Sequence, residues 1–251
     1  MKNREIYSRL TTTLPFVLRL DGRAFHTFTS GYEKPFDDRF SACFVKTAES
    51  LFSESGLSPD FIYTFSDEIS IFMQNPVFDC RVEKLVSVAA AHAASAFTLY
   101  ADVKAPISFD ARIVPIAKDQ LPAYLAWRQA EAWRNHINGY CQKLLTDSGL
   151  SGTQAQRKLD GMNAGALHEL AFSNGINLAA TPAWQRRGIA IYRGKIEKIG
   201  YNPKTGESAP VTRNIAVVDK DLPLFKTESG RKWINEKISP TTDIERFRIK
   251  R

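Results

Sequence analysis

Apolar positions along this chain fall into two periods, and the alternation between them outlines an order of elements. Residues 14–20 are a short apolar run that predicts a buried strand, with Asp21 at its carboxyl end. Across residues 36–55 the spacing becomes helical (Phe40, Phe44, Ala48, Leu51, Phe52) and stops at Gly56. Residues 61–65 and 69–73 read as two strands around Ser66-Asp67-Glu68, a hairpin signal. Residues 81–99 are Ala-rich and free of Gly and Pro, which predicts a buried helix. A further strand lies within 107–116, where Phe109-Asp110-Ala111-Arg112-Ile113-Val114 alternates. The resulting order, β-α-β-β-α-β, is the split βαβ arrangement of ferredoxin-like folds and polymerase palms, so the fold class expected is α+β.

Downstream, residues 119–145 predict one long helix with Asp119 as N-cap and Pro122 in its first turn. Two shorter helices follow over 150–159 and 164–172, the second closed by Gly175. Residues 181–188 lead into a strand at 189–192, and residues 200–213 read as a polar loop. With no repeat and no flexible linker in the sequence, the expected organisation is a palm-like core over 1–117. A helical and β extension over 118–251 packs with it as one unit.

Two aspartates stand at strand ends in this frame. A carboxylate at the end of a buried strand is costly unless a cation or donors offset it. Asp21 is followed by Gly22, and Asp67 sits in the hairpin; adjacent strands of one sheet can bring both within bridging distance. Two carboxylates and a backbone carbonyl can suffice for Mg²⁺, which keeps several waters. A pair of such ions neutralises the charge that develops in phosphoryl and nucleotidyl transfer. Either aspartate alone also suits an ordinary turn, and Arg19 and Arg23 could simply pair with Asp21. A nucleotidyl cyclase and a silent tRNA-binding protein remain alternatives on the same residues.

Composition narrows the class. The 251 residues carry a net charge of +7, and eight Lys/Arg against four Asp/Glu fall between Lys226 and Arg251, so that tail holds +4 of the total. The balance favours a polyanionic partner such as RNA. No apolar run reaches the ~18 residues of a membrane span, and no signal-peptide core follows Met1, so a cytoplasmic address is expected. Cys43, Cys80 and Cys141 form no CxxC pair and predict neither a disulfide framework nor a zinc site.

Residues 18–28 (LRLDGRAFHTF), 63–72 (YTFSDEISIF) and Trp127-Arg128-Gln129-Ala130 closely resemble the tRNA(His) guanylyltransferase family and its reverse-polymerase relatives. The resemblance runs from about residue 5 to about residue 195. It implies addition of nucleotides, mainly GTP-derived, to the 5′ end of tRNA in the 3′→5′ direction, after ATP or GTP activates the 5′ phosphate. It implies two Mg²⁺ held by Asp21, the Gly22 carbonyl and Asp67; Glu68, next in the hairpin, is expected to point away from Asp67 and is counted with the catalytic carboxylates as a supporting or tRNA-end contact. Asp21, Gly22, Arg23, Ala24, Phe25 and His26, with Ser66 and Asp67, match the nucleotide-binding stretch. Lys34 matches a phosphate-contacting lysine and Arg19 an arginine near the activating nucleotide. A homotetramer is the family's typical assembly. Eukaryotic members carry a His-Ile-Asn-Asn-Leu-Tyr-Asn block whose His, aligned without a gap, falls on Trp133. His136-Ile137-Asn138 comes three residues late, a rotation of about 60° on a helix. This departure argues against anticodon reading and for the archaeal and bacterial branch, which copies a template and repairs truncated tRNAs. Arg128, Glu131 and Asn135 share a helix face; Arg128, Asn135, Arg186 and Arg187 are the candidate tRNA contacts. His92 and His168 read as packing and helix-surface residues respectively.

Overall fold

A computed structural model describes residues 4–201, 203 and 206–238. Strands β1 (Phe16–Gly22), β2 (Phe61–Phe65), β3 (Glu68–Met73), β4 (Phe109–Pro115), β5 (Ile189–Tyr201) and β6 (Ser208–Asp219) make one sheet in the order β4-β1-β3-β2-β5-β6. Every neighbouring pair is antiparallel. Between them run α1 (Phe25–Phe28), α2 (Asp38–Ser53), α3 (Val82–Tyr100), α4 (Leu121–Asp147), α5 (Gly152–Leu159), α6 (Ala164–Ser173) and α7 (Ala183–Arg187), and α8 (Glu228–Ile238) follows the last strand.

Alternation along the strands divides the core in two. Leu18, Leu20, Ile62, Ile69 and Ile71 face α2 and α3, where Phe44, Leu51, Ala89 and Phe97 complete one cluster. Val17, Phe61, Tyr63, Phe72 and Tyr192 face the other way, toward Leu121, Tyr124 and Leu125 of α4 and Phe225 and Ile234 beyond the sheet. Asp21 and Arg19 share the parity of Val17, so both belong to the α4 face. The second half of α4 leaves the sheet and packs on α5 and α6 through Ile137, Cys141, Leu145, Ala155 and Leu167. Side-chain caps start these short helices: Ser151 accepts from the Gln154 amide and Asn163 from the Ala166 amide.

Four expectations change. Most of the supposed loop at 200–213 is strand, since β5 extends to Tyr201 and β6 begins at Ser208. The segment before β5 closes a helical turn, α7. Asp119 lies in a preceding 3₁₀ turn, Lys118–Gln120, and α4 starts from Gln120 without a side-chain cap. Part of the basic tail is helix α8, which buries Ile234 and Ile238; residues 239–251 lie outside the described residues.

Candidate active site

The end of β1 and the β2–β3 turn meet at one corner of the sheet. Asp21 lies opposite Glu68 of β3 and opposite Asp110 of β4. Phe65 pairs with Glu68, so Ser66 and Asp67 form a two-residue connection, with Ser66 at φ 51°. The Gly22 amide donates to the Asp67 carbonyl at 3.0 Å and ties the strand end to the turn. Burial pushes the Asp67 carboxyl above its usual range, and the negative charge of Asp21 pushes it further. The Ser66 hydroxyl donates to Asp67 Oδ1 at 3.1 Å. Asp21 and Asp67 therefore form an electrostatically coupled pair, both partly open to solvent. Among the described residues, no group of three or more His, Cys, Asp or Glu is arranged to hold a metal ion; any cation here would rely on these two carboxylates and backbone or water oxygens.

Glu68 is turned elsewhere. Its two oxygens accept from Arg128 Nε at 2.8 Å and Nη2 at 2.6 Å, with both side chains buried. Burial raises the Glu68 carboxyl, and Arg128 draws it partly back. The expectation of Arg128 on an open, RNA-facing helix surface is thereby corrected. The stripe it shares with Asn135 is covered by the sheet at Arg128 and emerges only at Asn135, which is exposed. Arg186 and Arg187 are half-buried, and their guanidinium groups donate to the carbonyls of Thr181 (2.9 Å) and Leu222 (2.8 Å). In place of open phosphate-binding side chains, they staple α7 to its surroundings.

The turn after β1 is held from below. A Cβ on Gly22 would lie 2.3 Å from the Phe25 ring, so glycine is required for that ring to enter the core. Phe25 packs edge-to-face on Phe28, Phe40, Phe44 and Phe97 at 5.2–6.1 Å. This is a second reason for glycine, besides close approach of a ligand. Ala24 takes φ 59°, and the Arg23 amide donates to Ser108. The amides of Ala24, Phe25 and His26 donate to no acceptor among the described residues. The Arg23 and His26 side chains are exposed, as is Lys34, whose Nζ reaches Thr29 Oγ1 at 3.0 Å.

Beside the turn opens a cavity of about 190 Å³. Tyr32, Phe36, Phe65 and Trp184 wall it, Lys34 and Asn135 reach its lining, and Ser66 stands next to it. Aromatic walls with a few polar groups suit a nucleobase. Sequence reading missed this cavity because its walls come from four separate segments. It also missed Asp110 and Arg112, although alternation over 109–114 places both on one face; they pair at 2.6 Å beside Asp21. His92 bonds Ser50 at 2.8 Å, a packing role. His136 is fully buried, bonded to Thr181 Oγ1 at 2.8 Å and stacked on Trp133, and burial with the nearby Arg186 charge lowers its pKa to about 4.

Coupled carboxylates at a strand end, free amides after the strand and a base-sized cavity thus meet at one corner of the sheet. Residues 1–117 match the family model described as tRNAHis guanylyltransferase, and residues 119–231 match the Thg1 C terminal domain. The chain belongs to the tRNA(His) guanylyltransferase family. It is 30% identical over 215 residues to the probable tRNA(His) guanylyltransferase of Mus musculus, covering 79% of this chain and 71% of that one. The corresponding protein of Dictyostelium discoideum is 31% identical over 206 residues, covering 76% and 78%. A bacterial tRNA(His) guanylyltransferase-like protein solved in complex with GTP superposes with a TM-score of 0.69 at 27% identity, covering 96% of this chain and 97% of that one. The complex of such a protein with ATP gives 0.71 at 26%, covering 95% and 96%.

Proposed function

We propose that this protein adds nucleotides, mainly from GTP, to the 5′ end of tRNA in the 3′→5′ direction, copying a template, after ATP or GTP activates the 5′ phosphate. The observation that carries this reading is the coupled Asp21–Asp67 pair beside a base-sized cavity. The names of the relatives and the GTP- and ATP-bound neighbours support it. The strand order β4-β1-β3-β2 is read as a ferredoxin-like palm, residues 1–117 as its core and 118–251 as the extension. The working form is read as a cytoplasmic homotetramer.

Asp21 and Asp67 are hard oxygen donors that repel one another and, among the described residues, neither forms a salt bridge like that of Glu68 with Arg128. That donor set, with the Gly22 carbonyl, fits Mg²⁺, which binds through one or two carboxylates plus substrate phosphates. When bound, a pair of Mg²⁺ ions would neutralise phosphate charge and make the attacking hydroxyl more acidic. The chain's own groups do the rest. The cavity takes the base between Tyr32, Phe36 and Trp184, and the amides of Ala24, Phe25 and His26 face the triphosphate with Lys34 beside them. Arg19 lies near the activating nucleotide. In activation, an oxygen of the RNA 5′-monophosphate attacks the α-phosphorus of ATP or GTP, and pyrophosphate leaves. The 3′-hydroxyl of an incoming GTP then attacks the activated 5′ phosphorus and expels the nucleoside monophosphate, and pyrophosphate is finally removed from the new end. Glu68 acts by fixing Arg128 beneath this corner.

Labelled GTP with tRNAs carrying intact or shortened 5′ ends tests the proposal, and changing the template base should change the nucleotide added. Asp21→Ala or Asp67→Ala should abolish incorporation with the fold intact. Robust activity in either variant, or product from GTP without RNA, overturns it.

A further inference from the structure

Trp127 is 52% exposed, although a large aromatic side chain gains most from burial. Its ring is held rather than loose. The Arg128 guanidinium lies 4.3 Å from its centroid and that of Arg19 lies 5.7 Å away, with Tyr124 edge-on at 5.8 Å. Arg128 is locked to Glu68, which stands opposite Asp21, and Arg19 precedes Asp21 by two residues on the same face of β1. The indole therefore stands over β1, while the base-sized cavity borders β2 and β5. Asp21 lies at the end of β1, and Asp67 follows Ser66 of the cavity lining in the β2–β3 turn.

From this we infer that Trp127 is the stacking platform for the terminal base of the RNA, an inference that rests on the nucleotidyltransfer reading above. A walled cavity suits a mononucleotide, whereas an indole open to solvent receives a base from a polymer too large to be enclosed. Every base offers a π-face, so such a platform accepts ends of different sequence. Arg19 and the half-exposed Arg112 beside it offer positive charge to the adjoining phosphates.

The test compares wild type, Trp127→Ala and Trp127→Phe in steady-state GTP incorporation on 5′-monophosphorylated tRNA, with tryptophan fluorescence during RNA titration. Trp127→Ala should raise the KM for RNA about tenfold while the KM for GTP stays within about twofold, and Trp127→Phe should recover most of the loss. RNA should quench wild-type fluorescence, and Trp127→Phe should lose that quenching at an unchanged melting temperature. An unchanged KM for RNA, a rise in the KM for GTP instead, or a change of oligomeric state in Trp127→Ala overturns the assignment. The last result would make the indole a contact between copies of this chain. A wild-type protein that incorporates no GTP defeats the parent reading alone, because the quenching measurement still decides the stacking.

Discussion

Arg128→Ala isolates the energetics of the buried pair beneath the site. Both side chains are 9% exposed, two charge-assisted hydrogen bonds join them, and the guanidinium also lies 5.4 Å from the Phe65 ring. Removing the cation strands the Glu68 charge where water cannot compensate it, a loss of about 3–5 kcal/mol. For a protein of this size each kcal/mol shifts the melting temperature by about 2–4 °C, so a fall of roughly 6–20 °C is expected. The sign with pH follows from Glu68. Its folded pKa is raised by burial, and Arg128 is what lowers it. A carboxyl raised above its unfolded value is more favourable to the fold when protonated, and that benefit is lost as pH rises through the raised value. Without Arg128 the pKa climbs further, so the deficit is largest at neutral pH and shrinks on acidification. The paired replacement Glu68→Leu with Arg128→Met should restore stability to within about 1 kcal/mol of wild type or better, because a buried pair often contributes little net. Thermal unfolding in metal-free buffer, followed by circular dichroism from neutral to mildly acidic pH, measures all three proteins. A melting point for Arg128→Ala within about 2 °C of wild type, or a deficit that grows with acid, would refute the reasoning.

Asp67→Asn should stabilise the metal-free protein at neutral pH, because burial and Asp21 raise the Asp67 carboxyl and its charged form opposes folding. Adding Mg²⁺ at about a hundredfold excess over its Kd should stabilise wild type by about 2.7 kcal/mol and the variant far less; equal shifts in differential scanning calorimetry would count against the metal assignment. His136 has the opposite sign: its pKa falls from 6.5 to about 4, so the unfolded chain takes up a proton first. Stability should therefore drop by on the order of 3 kcal/mol as pH falls across that window. His136→Phe should flatten that part of the profile in urea titrations, and an unchanged slope would exclude the imidazole as its source.

The first four strands and the helices between them were legible because each buries one face and so writes a period into the sequence. Beyond Tyr192, β5 and β6 lie largely exposed, with Ile199 80% and Tyr201 67% open to solvent, and that period fades. Helix α8 was hidden by its charge; Lys232, Glu236 and Lys237 mask the few apolar positions that dock it. At the site, Asp21 and Asp67 announced themselves as carboxylates interrupting apolar runs. Arg128 was misplaced because a helical stripe does not say where α4 runs off the sheet. The cavity is a tertiary product, built from residues 29–44, the end of β2 with its turn, α4, and α7 with the start of β5, and no local pattern encodes it.

The ring of Phe25, seated where Gly22 leaves room, has a mechanical consequence. The polypeptide immediately after Asp21 is corked into the aromatic interior, so it cannot swing without drawing Phe40, Phe44 and Phe97 along. The other rim, from Ser30 to Lys34, is moored to the same interior at a single ring, Tyr32 against Phe28 and Phe40, while its remaining side chains are open to water.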